Sequence, residues 1–271
     1  MVRLILTDMD GTLLDRHFRM PEGVDETISQ LADRGVVFGA ASGRQYYSLI
    51  KSFEKHVNEM LFVAENGTYV VYKKEEIFSN TLRRDYLNDV LKVAQQFPSL
   101  HVLVSGKKKA YYQSTNEVFL RELDKYYKEV QKVDNLLDLS GVDDEFLKVA
   151  MYDLDHGAEE KYHSFEHFRG QLQVAVSADC WLDVMNLGAT KGAAVKHIQD
   201  ALGISFEETM VFGDYMNDLE MMSSAYHSYA MENALDEVKK AARFIAPSND
   251  KHGVLVTIKE KVLKYPTVFP S

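Results

Sequence analysis

Short unbroken apolar runs alternate with amphipathic stretches along this chain. Leu4–Leu6, Val36–Ala41, Leu61–Ala64 and Met210–Phe212 are too short for helices and carry no polar alternation. Runs of this kind suit strands covered on both faces, as in parallel sheets. Between the first two, Glu22–Arg34 places Val24, Ile28, Leu31 and Ala32 on one helical face. Pro21 stands where a helix start tolerates proline, and Gly35 where a helix end favours glycine. Gln45–Glu54 reads as a second helix, and Asn66-Gly67 as a turn into a hairpin strand over Thr68–Tyr72. Alternating strands and helices predict an α/β fold, a doubly wound, Rossmann-like parallel sheet.

The middle of the chain has a different rhythm. Arg83–Phe97 reads as an amphipathic helix stopped before Pro98, and Val102–Ser105 and Ala110–Gln113 as strands around the basic turn Gly106–Lys109. Glu117–Glu129 reads as helix, followed by a polar stretch to Glu145, a strand over Phe146–Tyr152 and a helix over Glu159–Phe168. Gln173–Ser177 and Trp181–Met185 form a further strand pair. This stretch is long enough to be an α/β domain of its own. The expected division is a core from residues 1–82 and 188–271, with 83–187 inserted. The core rhythm resumes at Lys191, with strands near Met210–Phe212, Ser228–Met231 and Arg243–Ile245. No internal repeat or low-complexity linker interrupts it.

Polar clusters sit where the core strands stop. Asp8 and Asp10 follow the first run in Asp8-Met9-Asp10-Gly11-Thr12, and Asp214 and Asp218 follow Met210–Phe212. Open parallel sheets bind ligands just beyond the carboxyl ends of their strands. Paired carboxylates there repel each other, and a hard cation such as magnesium neutralises them. Each pair also has a plain alternative. Asp-x-Asp-Gly forms solvated turns, and Asp214 or Asp218 would suit a helix N-terminus. Ser42-Gly43-Arg44 ends the second run, where a hydroxyl and a glycine N–H can cradle a phosphate or simply cap a helix. Lys191 precedes the helical stretch Ala193–Leu202 and would project an ammonium toward an anion at the sheet edge, or into solvent.

Asp8–Thr12, Ser42, Lys191 and Gly213-Asp214-Tyr215-Met216-Asn217-Asp218 resemble, in the same order, the four motifs of the haloacid dehalogenase superfamily of phosphatases. The resemblance spans nearly the whole chain. Residues 83–187 look like the large α/β cap of its Cof-type branch. Ala41–Tyr47 and Val63–Gly67 look closest to its sugar-phosphate phosphatases.

The resemblance implies a magnesium-dependent phosphomonoesterase acting on a small phosphorylated metabolite. Asp8 would be the nucleophile and form an aspartyl-phosphate; Asp10 would be the general acid and base. Magnesium would be held by the carboxylates of Asp8 and Asp214 and the backbone carbonyl of Asp10. Ser42, Gly43, Lys191, the Met9 backbone N–H and the Asn217 side chain would bind the phosphate. Asp218 would organise the metal's surroundings, and Thr12 would orient the loop. Two rivals share this chemistry: a phosphotransferase or mutase, with a sugar in place of water, and a phosphorylation-receiver module that signals without turnover. The Asp-x-Asp-Gly-Thr order and the size of the insert count against the receiver.

Composition narrows the partners. The 271 residues, 46% hydrophobic, supply ample core, and the net charge of −10 disfavours nucleic acid and anionic membranes. The lone Cys180 allows no internal disulfide, which fits a reducing cytoplasm and reads as a small buried hydrophobe. Asp8 and Asp10 interrupt the only N-terminal apolar run, so no signal peptide is expected, and no run approaches the ~20 residues of a membrane span. Nothing in the chain predicts an oligomer. His163 and His167, four residues apart, and Lys107-Lys108-Lys109 read as solvated surface. Trp181 reads as core of the insert, and with Asp179 as a candidate for its substrate-facing surface.

Overall fold

The computed structural model describes residues 1–264. Its first sheet has the order β14-β13-β12-β1-β2-β3-β4-β5. These strands are β1 (Leu4–Thr7), β2 (Val37–Ala41), β3 (Leu61–Ala64), β4 (Tyr69–Tyr72), β5 (Glu75–Ser79), β12 (Thr209–Gly213), β13 (His227–Met231) and β14 (Phe244–Ala246). Every pairing from β14 to β3 is parallel, and the hairpin of β3, β4 and β5 continues antiparallel. The apolar runs lie at the sheet's centre, where Leu4, Ile5, Leu6, Met210, Val211 and Phe212 have no exposed surface. Burial on both faces explains why these strands carry no alternation.

The second sheet, order β10-β11-β9-β6-β7-β8, comes wholly from the inserted stretch. Its strands are β6 (Leu100–Gly106), β7 (Ala110–Tyr112), β8 (Val130–Lys132), β9 (Phe146–Asp153), β10 (Leu172–Ala178) and β11 (Trp181–Asn186). Period-two alternation sorts its side chains onto two faces. Val149, Met151, Leu182 and Val184 pack with Leu87, Val90 and Leu91 of helix Arg84–Ala94. On the opposite face Ala150, Tyr152 and Trp181 join Phe119 and Leu123 of helix Glu117–Tyr126. The fold is therefore a Rossmann-like core carrying an α/β cap. The chain's two passes between the sheets lie side by side: Asn186 Nδ2 donates to Asn80 Oδ1 at 2.6 Å, and Asn80 Nδ2 to the Leu187 carbonyl at 3.1 Å.

Three local readings need correction. The stretch after helix Glu117–Tyr126 is not featureless, because Val130–Lys132 adds an exposed edge strand. Helix 159–168 is split, with an α-turn over Ala158–Tyr162 and a 3₁₀ segment over His163–Phe168. The basic turn is not simply solvated: Lys107 bridges Glu76 of β5 and Glu145 at 2.9 and 2.8 Å, and so ties cap to core. His163 is exposed beside Glu166, as expected of surface.

The cap is also clasped through Gln45, whose amide oxygen accepts from the N–H groups of Lys128 and Glu129 and whose Nε2 donates to the Glu129 carbonyl. Beneath this clasp the turn after β3 is unusual. Glu65, Asn66 and Gly67 all have positive φ, at 51°, 58° and 98°. A Cβ on Gly67 would collide with the Thr190 carbonyl, at the start of helix Lys191–Leu202. Gly67→Ala should therefore lose about 1–2 kcal/mol from the left-handed backbone alone, with the collision added. Urea unfolding monitored by circular dichroism reads this; an unchanged midpoint would contradict the close approach.

Candidate active site

Strand ends β1 and β12 bring the two acidic motifs together. The Asp8 N–H donates to the Phe212 carbonyl at 3.0 Å, which locks the strand ends side by side. The chain then turns tightly: the Leu13 and Leu14 N–H groups return to the Asp8 and Met9 carbonyls at 3.2 and 2.9 Å. Gly11 permits this turn with φ of 81°. A Cβ there would collide with the Asp214 carboxylate, so only glycine lets the loops approach so closely. Thr12 Oγ1 donates to Asp214 Oδ1 at 2.6 Å.

Lys191 opens helix Lys191–Leu202 and is fully buried. Its ammonium lies 2.6 Å from Asp8 Oδ1 and 2.7 Å from Asp218 Oδ1. Asp218 Oδ2 accepts from the N–H groups of Asp214 and Tyr215 at 2.9 and 3.2 Å. Both Asp218 oxygens thus have partners. Asp218 caps the loop through one oxygen and holds Lys191 through the other.

The electrostatics are unbalanced. Burial pushes the Asp8 carboxyl well up; Lys191 opposes this, while Asp218, Asp214 and Asp10 reinforce it. Asp214 is pushed up to about 6, by burial first and then by Asp218, against its hydrogen bond from Thr12. Burial lowers Lys191, but Asp218 and Asp8 outweigh it and hold the ammonium charged. Three carboxylates share one ammonium here, and among the described residues Asp8, Asp214 and Asp218 form the group able to hold a metal ion. The donors are all hard carboxylate oxygens, and a missing positive charge is what a divalent cation supplies. The residues therefore fit such a cation. With both Asp218 oxygens engaged, Asp8 and Asp214 are the carboxylates with an oxygen left to offer.

Asp10 takes a different direction. Its carboxylate pairs with the Arg44 guanidinium through both oxygens, one of them 2.8 Å from Nε. Arg44 in turn sits 5.6 Å over the Tyr126 ring of the cap. Ser42 is buried, and its Oγ accepts from the Arg44 N–H at 3.2 Å. Asn217 Nδ2 donates to Asn66 Oδ1 at 3.1 Å. Asp8, Asp10, Ser42, Gly43, Asp214 and Asn217 all line one cavity of about 510 Å³. Met9 is buried next to it in the loop, and Thr12, Lys191 and Asp218 stand behind its wall.

The far wall belongs to the cap. Tyr126, Tyr127, Trp181, Asp179 and Lys148 line it, and so does Cys180. Cys180 is only partly buried, which corrects the reading of it as core. Trp181 does both jobs: it packs edge-on against Tyr126 and Tyr152 and also borders the cavity. Sequence reasoning missed Arg44, Glu65, Lys148 and Asp183 as parts of the site. A signal existed for the last two, since each interrupts an otherwise apolar strand.

Comparison with known proteins agrees with this geometry. The family model described as haloacid dehalogenase-like hydrolase matches residues 5–258, so the chain belongs to that family of hydrolases. It is similar to the 5-amino-6-(5-phospho-D-ribitylamino)uracil phosphatase of Escherichia coli, at 34% identity over 99% of this chain and 98% of that one. An HMP-PP phosphatase of Serratia proteamaculans is 26% identical over 88% of this chain and 87% of its own. The crystal structure of SMU.1108c from Streptococcus mutans superimposes with a TM-score of 0.88 at 26% identity, covering 97% of this chain and all of that one.

Thr12 anchors Asp214 through its hydroxyl, and a valine keeps the side-chain shape without that donor. Thr12→Val should weaken divalent-cation binding about 10–100-fold, the scale seen when a ligand loses its orienting hydrogen bond. Isothermal titration with magnesium chloride measures it; unchanged affinity would show that this hydrogen bond does not orient a cation ligand.

Proposed function

We propose that this protein is a magnesium-dependent phosphatase that hydrolyses small phosphomonoesters, sugar or sugar-alcohol phosphates above all, through a phosphorylated Asp8. The observation that carries the reading is the buried Asp8, Asp214 and Asp218 group around the Lys191 ammonium. The relatives' names support the substrate class, because one names a phosphorylated ribityl compound. They also name different substrates, which supports a reading in which the core sets the reaction and the cap the substrate.

Asp8 attacks phosphorus in line and the ester P–O bond breaks. Asp10 gives a proton to the departing oxygen, then takes one from the water that attacks phosphorus and frees Asp8. Both of its oxygens are engaged by Arg44, so proton delivery requires that pair to open. Asp8, Asp214 and the Asp10 carbonyl would hold magnesium, which would supply charge neutralisation between the carboxylate and the phosphate dianion. Lys191 fixes the orientation of Asp8 and meets the phosphoryl charge, and Ser42, Gly43, the Met9 N–H and Asn217 cradle the phosphoryl oxygens. Residues 83–187 act as the cap domain over a core of 1–82 and 188–271. Tyr126, Asp179 and Trp181 face the part of the substrate that varies.

Purified protein should hydrolyse p-nitrophenyl phosphate with magnesium and stop when a chelator is added; equal rates would remove the metal. Asp8→Asn should cut turnover by about 10⁴-fold or more, the scale of single-nucleophile losses. Near-wild-type turnover in that variant would identify another nucleophile. Asp179→Ala should reorder preferences in a panel of sugar phosphates while sparing p-nitrophenyl phosphate. An unchanged order would move specificity away from this wall.

A further inference from the structure

A buried polar chain crosses from the cap sheet to the phosphate cradle. Ser105 and Lys148 are direct cross-strand neighbours on β6 and β9, and Asp183 lies on the adjacent β11, two pairs along from Met185 opposite Lys148. Period-two geometry puts all of them on the face turned to the core. All are buried: 0%, 2% and 2% exposed. They meet the strained turn after β3. Ser105 Oγ donates to Glu65 Oε1 at 2.6 Å, and Lys148 Nζ lies 2.8 Å from Glu65 Oε2. Lys148 also donates to the Gly43 carbonyl at 3.0 Å. Asn66 Nδ2 donates to Asp183 Oδ2 at 2.8 Å, and Ser177 Oγ donates to the same oxygen at 2.6 Å.

The direction of this chain is dictated by chemistry. Asp183 has an oxygen at each tip of its side chain, and Oδ2 accepts from the NH₂ end of Asn66. The Asn66 carbonyl is thereby turned the other way and can only accept, so Asn217 must present its own NH₂ to it. That amide carries a second N–H. If Asn217 were reversed, its carbonyl would face the phosphoryl oxygens and repel them. The turn itself is zipped onto the phosphate loop, with Asn66 N–H donating to the Ser42 carbonyl and Glu65 N–H to the Arg44 carbonyl, both at 3.0 Å. Three successive left-handed residues hold Asn66 in place, and strain of this kind persists only where its surroundings enforce it.

We infer that Asn66 is a positioning residue: it relays the seating of the cap, through Asp183, to the orientation of Asn217, and so makes phosphate binding depend on the cap being docked. The inference rests on the proposed role of Asn217 at the phosphate. An undocked cap and a weakened phosphate cradle then go together, because without Asp183 either end of the Asn66 amide can face Asn217.

The left-handed backbone at position 66 accepts glycine, so Asn66→Gly removes the relay without strain. This variant should lower kcat/KM for p-nitrophenyl phosphate about 10–100-fold, the scale for loss of an orienting partner. The inhibition constant of inorganic phosphate should rise with it. The decisive reading is a cycle: Asn66→Gly/Asn217→Ala should be no worse than Asn217→Ala alone, because Asn66 acts only through Asn217. Fully additive losses, or an Asn66→Gly enzyme equal to wild type, would overturn the relay. Asp183 gives a second arm should the first variant be unstable. Asp183→Asn keeps the shape but can turn either end of its amide to Asn66, so it should fall toward Asn66→Gly, as should Asp183→Leu. An Asp183→Asn enzyme equal to wild type would also overturn it. If the wild-type protein turned over no phosphomonoester, the proposed reaction would fail instead. The same cycle read by calorimetric titration with inorganic phosphate and magnesium would still decide the relay.

Discussion

Crowded negative charge at one edge of a buried sheet is the constraint on which the rest of the structure depends. Asp8, Asp214 and Asp218 offer oxygens within 4.8 Å of one another around the single ammonium of Lys191. Burying like charges is costly unless each has a counter-charge or a donor. The neighbouring residues meet that demand in turn. Gly11 lets the two loops close, Thr12 donates to Asp214, and the Asp214 and Tyr215 N–H groups satisfy Asp218. What remains unsatisfied is positive charge, and that deficit suits a divalent cation. A parallel sheet suits this arrangement, since strand ends place backbone N–H groups and loop side chains at one edge.

The core was legible from sequence because its strands are buried on both faces and its polar clusters stop them abruptly. Leu4–Leu6 followed by Asp8, and Met210–Phe212 followed by Asp214, carry that punctuation in the chain itself. Strands β5 and β8 were not legible. Val130–Lys132 is an exposed, polar edge strand and Glu75–Ser79 a half-exposed edge strand opening on two glutamates, and edges favour charge over apolar pattern. Lys107 looked like a turn lysine because its partners Glu76 and Glu145 lie 31 and 38 residues away. Arg44 was visible beside Ser42, but its pairing with Asp10 depends on how two loops fold over each other. Lys148 and Asp183 meet Glu65 and Asn66 only once strand register and cap placement are set, and no local spacing encodes either.

The two sheets divide the chemistry unequally. On the proposed reading the core edge would hold what every phosphate ester shares, the phosphoryl group and its charge. The cap supplies the far wall of the cavity, where Tyr126, Trp181 and Asp179 would meet only the leaving group. Between them runs a buried polar seam of Glu65, Asn66, Lys148 and Asp183 rather than an apolar one. An apolar seam would tolerate sliding, because hydrophobic contact is non-directional. Hydrogen bonds to a buried lysine and carboxylates demand one register, and unmade ones are expensive. The polar seam thus ties the position of the cap to the geometry of the phosphate loops.

Covalent participation of Asp8 is the central claim, and trapping it is the most direct test. A single turnover of an activated phosphomonoester by the Asp10→Asn variant, quenched in acid, should leave a phosphoryl group on the peptide containing Asp8 when its mass is measured. Asp10→Asn slows removal of that group by depriving the attacking water of its base. Asp8 free of phosphoryl throughout a turnover that releases phosphate, with the group on another residue or on none, would contradict the claim.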